Sequence, residues 1–400
     1  MTTPIPTTGI LFISTYPPVK CGIASFTQDL TNAIGLEITE NFSLSICALN
    51  KKGVSAEYEY PVSMVMDGHQ LGSCIETAGI INQDPAIDLV CIEHEFGLFG
   101  GQFGEYLLNF LELLEKPFIL RFHTMLPLPD PKRLKVVQKM ASLANKVIVM
   151  TKNSARLLNE DYQVSLEKII TIPHGTHPNS TISAGDLKLK YNLEGKLVLT
   201  TFGLLSPNKG IEKAIIAMKE VSAKVPDAMY IVLGLTHPNL LKQEDEKYRD
   251  YLQKIIKDNN LQQNVRLVNE YIPTEGLMEY LALTDIYLFT SKDPDQAVSG
   301  TFLYAMSAGC PIISNSFVLA KEMLDEKTGI TLSTDNEHEL AENAIRLLQN
   351  DLLRKQMRHN AFLKTRNTTW QKVAMRHVEL FDEILGRPVS NSELSIQLLK

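Results

Sequence analysis

The chain has 400 residues, which at roughly 150 per domain allows two or three domains with cores of their own and excludes a single-motif protein. Apolar residues make up 44% of it and charged ones 21%, a balance incompatible with disorder driven by charge and low hydrophobicity. Thirty-nine Lys and Arg against 46 Asp and Glu leave a net charge of −7, which removes the electrostatic ground for binding nucleic acid over the whole surface.

The start, Met1 to Thr8, is rich in Thr and Pro without a basic segment, and the first apolar run, Ile10 to Ile13, is too short for a signal-peptide core. Buried strands are predicted at Ile10 to Ser14, Leu44 to Leu49, Leu89 to Ile92, Phe118 to Phe122, Val147 to Met150 and Ile169 to Ile172. Between them lie helical patterns, the clearest being Phe103, Tyr106, Leu107, Phe110 and Leu114 after Gly100-Gly101. Strand then helix, repeated, implies a parallel sheet. From Thr176 to Lys190 the composition turns to Ser, Thr, Asn, Pro and Gly, which places a domain boundary there. The alternation restarts with a strand at Leu197 to Phe202, a helix carrying Ile211, Ala214, Ile215 and Met218, and strands at Met229 to Leu233, Val265 to Val268, Ile286 to Phe289 and Pro311 to Ile313. A last helical pattern carries Val373, Val378, Leu380, Phe381 and Leu385, with the single Trp370 at its start as a packing anchor.

The expected fold is α/β, with two doubly wound Rossmann-like domains facing a cleft. The first spans 1–180, with a helix over 368–386 packing back on it; the second spans 181–367, and 387–400 is a polar tail. Ligands of such sheets bind beyond the carboxyl ends of the strands, so chemistry is expected in the loops after Ser14, Ile92, Phe122, Phe202, Leu233 and Phe289. The cysteines, Cys21, Cys47, Cys74, Cys91 and Cys310, are odd in number and widely spaced, with no Cys-x-x-Cys pair. No metal site and a reducing, cytoplasmic location are therefore expected.

Three loops carry candidate chemistry. The first delivers Gly22 to a helix start, where unpaired backbone N–H groups and the positive end of the helix dipole suit a phosphate. In the second, Phe202-Gly203-Leu204-Leu205-Ser206-Pro207-Asn208-Lys209-Gly210, Lys209 stands just before an amphipathic helix, placed to neutralise an anion. The third brings Ser299, Gly300 and Thr301 to another helix start. A plain turn at Gly22 and a solvated lysine at 209 are the alternatives that the residues alone leave open. No G-x-G-x-x-G is present, which argues against a dinucleotide enzyme.

The segments Thr15-Tyr16-Pro17-Pro18 with Cys21-Gly22-Ile23-Ala24, His94-Glu95-Phe96-Gly97-Leu98-Phe99-Gly100-Gly101, Phe122-His123-Thr124, Ile172-Pro173-His174-Gly175, Phe202-Gly203 with Lys209-Gly210, and Ala305-Met306 with Ala308-Gly309-Cys310-Pro311 follow one another in an order that resembles glycosyltransferase family 4. The resemblance implies a GT-B fold and a retaining, metal-independent hexosyl transfer from a nucleotide-diphosphate sugar, used as co-substrate with no other cofactor. It also implies Gly22 and Lys209 on the donor diphosphate, His123 beside the transferred sugar, and donor contacts from Gly203, Gln296, Ser299, Gly300, Thr301 and Tyr304. His94 and Glu95 are expected on the acceptor side after Glu93, and His174 and Gly175 between the domains.

Three positions depart from the family pattern. Leu204 stands where an Arg is usual, and Gln296 and Tyr304 stand where two glutamates are usual. Lys20 is a candidate replacement for the cation, and Asp293 or Asp295 for a carboxylate. These departures motivate one rival, a protein that binds sugar nucleotide without transfer, and the anion cradle equally suits a second, a phosphorylase that uses free phosphate. The expected partners are a nucleotide sugar and a carbohydrate or lipid-linked acceptor, with no nucleic acid. Lys132, Arg133, Lys135, Lys139 and Lys146 form a basic set that suits either a solvated helix face or a peripheral contact with an anionic membrane.

Overall fold

The computed structural model describes residues 8–37, 42–50, 56–334 and 336–388, so the Thr/Pro-rich start through residue 7 and the tail from residue 389 lie outside the described residues. The chain divides into two compact units. Unit 1 runs up to Gly175 and takes back the segment from Trp370, whereas unit 2 is Thr176–Thr369.

Unit 1 is built on strands β1 (Thr8–Ser14), β2 (Phe42–Asn50), β3 (Val62–Asp67), β4 (Leu89–His94), β5 (Phe118–Phe122), β6 (Lys146–Val149) and β7 (Ile169–Thr171). Its helices are α1 (Gly22–Glu37), α2 (Leu71–Gln83), α3 (Tyr106–Leu113), α4 (Pro131–Leu143) and α5 (Lys152–Glu160). The strands pair in parallel in the order β3-β2-β1-β4-β5-β6-β7. All seven residues of β1 are buried, as a central parallel strand covered on both faces requires. The edge strand β3 escapes the sequence reading because its residues alternate between part-buried and exposed, so no continuous apolar run marks it.

The helix predicted from Phe103 to Leu114 is shorter than its pattern. Phe103 adopts φ +61° and Gly104 φ +77°, which break the helical path, and α3 starts only at Tyr106. Phe103 still packs on the core from a short turn.

Unit 2 contains α6 (Ala184–Lys190), β8 (Leu197–Phe202), α7 (Ile211–Lys224), β9 (Ala228–Leu233), α8 (Pro238–Glu244), α9 (Lys247–Asp258), β10 (Val265–Val268), α10 (Thr274–Leu283), β11 (Ile286–Phe289), α11 (Gly300–Ser307), β12 (Ile312–Ser314), α12 (Val318–Met323), β13 (Gly329–Thr331), α13 (Glu337–Leu348) and α14 (Asp351–Thr365). Its sheet is also parallel, in the order β10-β9-β8-β11-β12-β13. β13 has three residues, too few to show a pattern in sequence. The stretch read as a domain boundary ends in α6, which Ser183 caps by accepting from the Asp186 amide and which Leu187 anchors.

The chain then returns to unit 1 as α15 (Trp370–Ile384), which packs on α1. Its buried face is Trp370, Val373, Ala374, His377, Leu380 and Phe381, a spacing of three and four that includes His377 and leaves Val378 part-exposed. Among the described residues no helix is long and apolar enough to cross a membrane.

Gly175 lies against the indole of Trp370, where a Cβ would fall 2.1 Å from ring carbons. Gly175→Ala is expected to push α15 off its seat and cost about 1–3 kcal/mol, read as a lower urea midpoint with altered Trp370 fluorescence. An unchanged midpoint would show that the indole moves freely.

Candidate functional site

Strand order reverses beside β1 in unit 1 and beside β8 in unit 2, where consecutive crossovers leave in opposite directions. A crevice opens at the carboxyl end of the sheet at such a switch point. The candidate residues fall there: Gly22 after β1, Glu93 to Glu95 at the end of β4, His123 after β5, Gly203 and Lys209 after β8, and Gln296 to Tyr304 after β11.

In unit 1 the centre of this edge is a buried ionic cluster. His123 Nε2 lies 2.6 Å from Glu93 Oε2, and Arg121 Nε lies 3.0 Å from the same carboxylate oxygen and 3.2 Å from Oε1. The Arg121 fork also bonds His377 Nε2 of α15, and His377 Nδ1 lies 2.6 Å from the Val373 carbonyl. Burial alone would raise the Glu93 pKa, but Arg121 and His123 together hold it down to about 2, so the carboxylate stays ionised. Burial pushes His377 down to about 3, with Arg121 adding to the effect. Phe26 of α1 ties the cluster to its surroundings, with the Arg121 guanidinium 5.0 Å over its ring and His123, His174 and Trp370 at 5.0, 5.0 and 5.3 Å.

His94 does not line this edge as expected. It is fully buried among Phe96, Phe99 and Phe122, and burial pushes its pKa down to about 3, with His123 adding to the shift. Glu95 does reach the edge, where Thr124 Oγ1 donates to its Oε2 at 2.5 Å. His174 bonds the Gly175 carbonyl at 2.7 Å and, through burial first, sits at about 4. Gly22 opens α1 with free space where a Cβ would stand, and Lys20 just before it is exposed.

In unit 2, a tight turn delivers Lys209. Gly210 takes φ +62°, and a Cβ there would fall 2.3 Å from the Thr290 carbonyl, so only glycine lets the turn close on β11. Thr290 Oγ1 then donates to the Lys209 carbonyl at 2.8 Å. The Lys209 ammonium lies 6.0 Å over the Phe289 ring, and burial lowers its pKa. It has no carboxylate partner among the described residues, whereas nearby Lys292 is neutralised by Glu212 at 2.6 Å.

Opposite Gly203, whose Cβ would approach Thr301 Cγ2 at 3.2 Å, α11 begins at Gly300. Ser299 caps it by accepting from the Phe302 amide and bonds Thr301 Oγ1 at 3.1 Å. Gln296 turns into its own loop, accepting from Ser291 Oγ at 3.3 Å and donating to the Val298 carbonyl at 3.1 Å. Tyr304 pairs its hydroxyl with His177 Nε2 at 3.2 Å. Asp293 and Asp295 are exposed.

Of the basic set near α4, Lys132 pairs with Glu105, Lys139 with Glu112 and Lys146 with Glu383. This pairing disperses the positive face read from sequence. The sequence reading missed Arg121, His377, Phe26 and His177. Arg121 had a signal, a charge within the apolar run Phe118 to Phe122; the other three have none outside the fold.

The C-terminal unit has relatives of known class. Residues 186–364 match the family described as glycosyl transferases group 1. An uncharacterized glycosyltransferase of Methanocaldococcus jannaschii is 25% identical over 250 residues, covering 61% of this chain and 59% of the relative. The chain thus spans about three fifths of the length of that curated relative. Among solved structures, a glycosyltransferase from Rickettsia africae is similar with a TM-score of 0.73 at 15% identity, covering 96% of this chain and 100% of the other. Anabaena HepE, solved in complex with UDP and glucose, is similar with a TM-score of 0.69 at 14% identity, covering 94% and 99%. The fold is GT-B, two Rossmann-like units with open parallel sheets. The family match covers most of unit 2 and accords with the resemblance read from the motifs.

His94, His174 and His377 have folded pKa values near 3, 4 and 3 against an ordinary value near 6.5. Below pH about 6.5 the unfolded chain takes up protons that these buried rings refuse, so stability is full above that pH and falls as pH drops toward 4 and then 3. Each should contribute a loss of about 1 kcal/mol per pH unit in that window. Urea midpoints should therefore fall from about pH 7 to about pH 5; a constant midpoint would contradict the burial of all three.

Proposed function

We propose that the protein transfers a hexose from a nucleotide-diphosphate sugar to an acceptor hydroxyl, retaining anomeric configuration and needing no metal. The observation that carries this reading is Lys209, a desolvated ammonium with no carboxylate partner among the described residues, held over Phe289 at the end of β11 beside the switch point of unit 2. A cation of this kind is stabilised by an incoming anion. A diphosphate leaving group supplies one whose charge grows as the glycosidic bond breaks, so Lys209 and the α11 amides bind the transition state more strongly than the ground state.

In this reading Ser299, Gly300 and Thr301 orient the diphosphate on unit 2, and in unit 1 the start of α1 at Gly22 is itself suited to an anion. Unit 1 presents His123 to the sugar and Glu95 to the acceptor. No side chain acts as nucleophile; the acceptor hydroxyl attacks from the face the diphosphate leaves, and the departing phosphate takes its proton. The acceptor is a carbohydrate or a lipid-linked sugar. Leu204 removes a permanent cation from the donor site, and the loop bonds of Gln296 and the Tyr304 to His177 pair replace the usual carboxylates with neutral groups. Donor binding then rests more heavily on Lys209.

Thermal shifts with uridine, guanosine, adenosine, cytidine and thymidine diphosphates should show stabilisation by one base, since ligand at a hundred times its Kd adds about 2.7 kcal/mol. Lys209→Ala should weaken that binding by roughly tenfold or more, the worth of a charge-assisted hydrogen bond. It should also cut sugar transfer by orders of magnitude, while excess chelator leaves the wild-type rate unchanged. Diphosphate binding with the nucleotide sugar left intact would replace transfer by binding alone, and release of sugar phosphate on adding free phosphate would point to a phosphorylase.

A further inference from the structure

The cluster in unit 1 contains more than a histidine beside a sugar. Arginine has donors and no acceptor, so the bond between Arg121 and His377 runs from the guanidinium to His377 Nε2. His377 must then carry its proton on Nδ1, which donates to the Val373 carbonyl one turn earlier in α15 at 2.6 Å. The Arg121 Nε–H donates to Glu93 Oε1 at 3.2 Å. An ionised carboxylate only accepts, so the 2.6 Å bond at Glu93 Oε2 requires a proton on His123 Nε2. Each link fixes the next from the Val373 carbonyl to His123, and the side chains of Glu93 and Arg121 are 2% and 3% exposed.

We propose that Glu93, Arg121 and His377 form a buried positioning relay that holds His123 with its proton on Nε2 and leaves Nδ1 as a hydrogen-bond acceptor for a sugar hydroxyl at the carboxyl end of β5. The identity of the hydroxyl as a sugar's rests on the transferase reading; the relay itself rests on the hydrogen bonds alone. His123 is suited to such a role, since its side chain is 10% exposed while its Glu93 partner is closed off from solvent. Its peptide N–H also donates to the His94 carbonyl at 3.0 Å, which fixes the backbone from which the ring projects. Phe26 closes the arrangement by packing on both His123 and Arg121. The relay makes the ring orientation of a residue on β5 depend on a histidine in α15, which explains why a polar ring occupies the buried face of that helix.

The test uses the full chain labelled with ¹⁵N-histidine, with long-range ¹H–¹⁵N spectra reporting which ring nitrogen of His123 is protonated. The nine histidines are separated by comparison with His123→Gln. In the wild type at neutral pH, His123 should show a protonated Nε2 and a pyridine-like Nδ1. In Glu93→Gln, Arg121 keeps the amide oxygen where its N–H already aims, the NH2 faces His123, and the proton should move to Nδ1. His377→Leu should mix the two tautomers, and His377→Gln, which restores an acceptor for Arg121, should return the wild-type spectrum. A merely structural role would lower stability in these variants without exchanging the protonated nitrogen.

With UDP-glucose as the probe, Glu93→Gln should lower the kcat of uridine diphosphate release by roughly tenfold or more, with KM within about twofold, because the wrong ring nitrogen then faces the hydroxyl. Protonation of Nδ1 in the wild type, or an unchanged tautomer in Glu93→Gln or His377→Leu, overturns the relay, and the wild-type spectrum decides even if a variant fails to fold. Wild-type spectra as expected without turnover of any nucleotide sugar would leave the relay standing and remove the transferase reading instead.

Discussion

A parallel sheet covered on both faces leaves polar chemistry almost nowhere to go except the ends of its strands. Both units are built on such a sheet, and in each the strand order turns back on itself, beside β1 and beside β8. That reversal separates two neighbouring crossovers and opens the carboxyl edge at one place. The candidate groups, from Gly22 through His123 to Lys209 and Ser299, follow from it, because they occupy the loops and helix starts that the reversal uncovers. The helices add to the effect by aiming unpaired N–H groups at the same edge, which suits it to anions.

The two units solve the problem of buried charge in opposite ways. In unit 1, Glu93 and Arg121 are both nearly inaccessible and pair with each other, with His123 and His377 taking up further hydrogen-bonding capacity, while Arg121 Nη1 has no hydrogen-bond partner among the described residues. Desolvating such a pair costs more than its attraction returns in many proteins, and removing one partner alone typically costs about 3–5 kcal/mol. A hydrophobic pair would stabilise the same volume as well, so the ionic pair makes sense as a positioning device. In unit 2, Lys209 has no carboxylate partner among the described residues, although Lys292 close by has one in Glu212. Desolvation raises the cost of keeping that ammonium charged, and any incoming anion would lower it. One unit pairs its buried charges with each other, and the other holds a desolvated ammonium away from any carboxylate among the described residues.

The departures at Leu204, Gln296 and Tyr304 acquire physical content from their surroundings. Gln296 spends its amide on Ser291 and Val298, and Tyr304 gives its hydroxyl to His177 while its ring stacks on Phe202. Neutral groups thus occupy positions where charge is usual, and they are held by the loop and by His177 near the start of the boundary segment. In the proposed transfer, selection of sugar and base would fall to shape and neutral hydrogen bonds, with Lys209 as the main electrostatic attraction.

Local pattern alone determined much of this protein. Short apolar runs fix most strands because a doubly covered strand needs apolar residues at every position, and Gly22, Lys209 and Ser299 were legible because each stands at a strand-to-helix junction whose chemistry is local. What the sequence could not show involves partners distant in the chain. The edge strand β3 lacks a continuous apolar run, Phe103 leaves the helical path through a positive φ, and His94 sits in an aromatic enclosure assembled from several elements. His377 reads in sequence as one polar residue in an amphipathic helix, and only the return of α15 onto α1 brings it to Arg121. Tertiary structure alone decided which nitrogen of His123 carries the proton, because hydrogen-bond donors and acceptors are matched in space, by chains of contacts that sequence separation does not record.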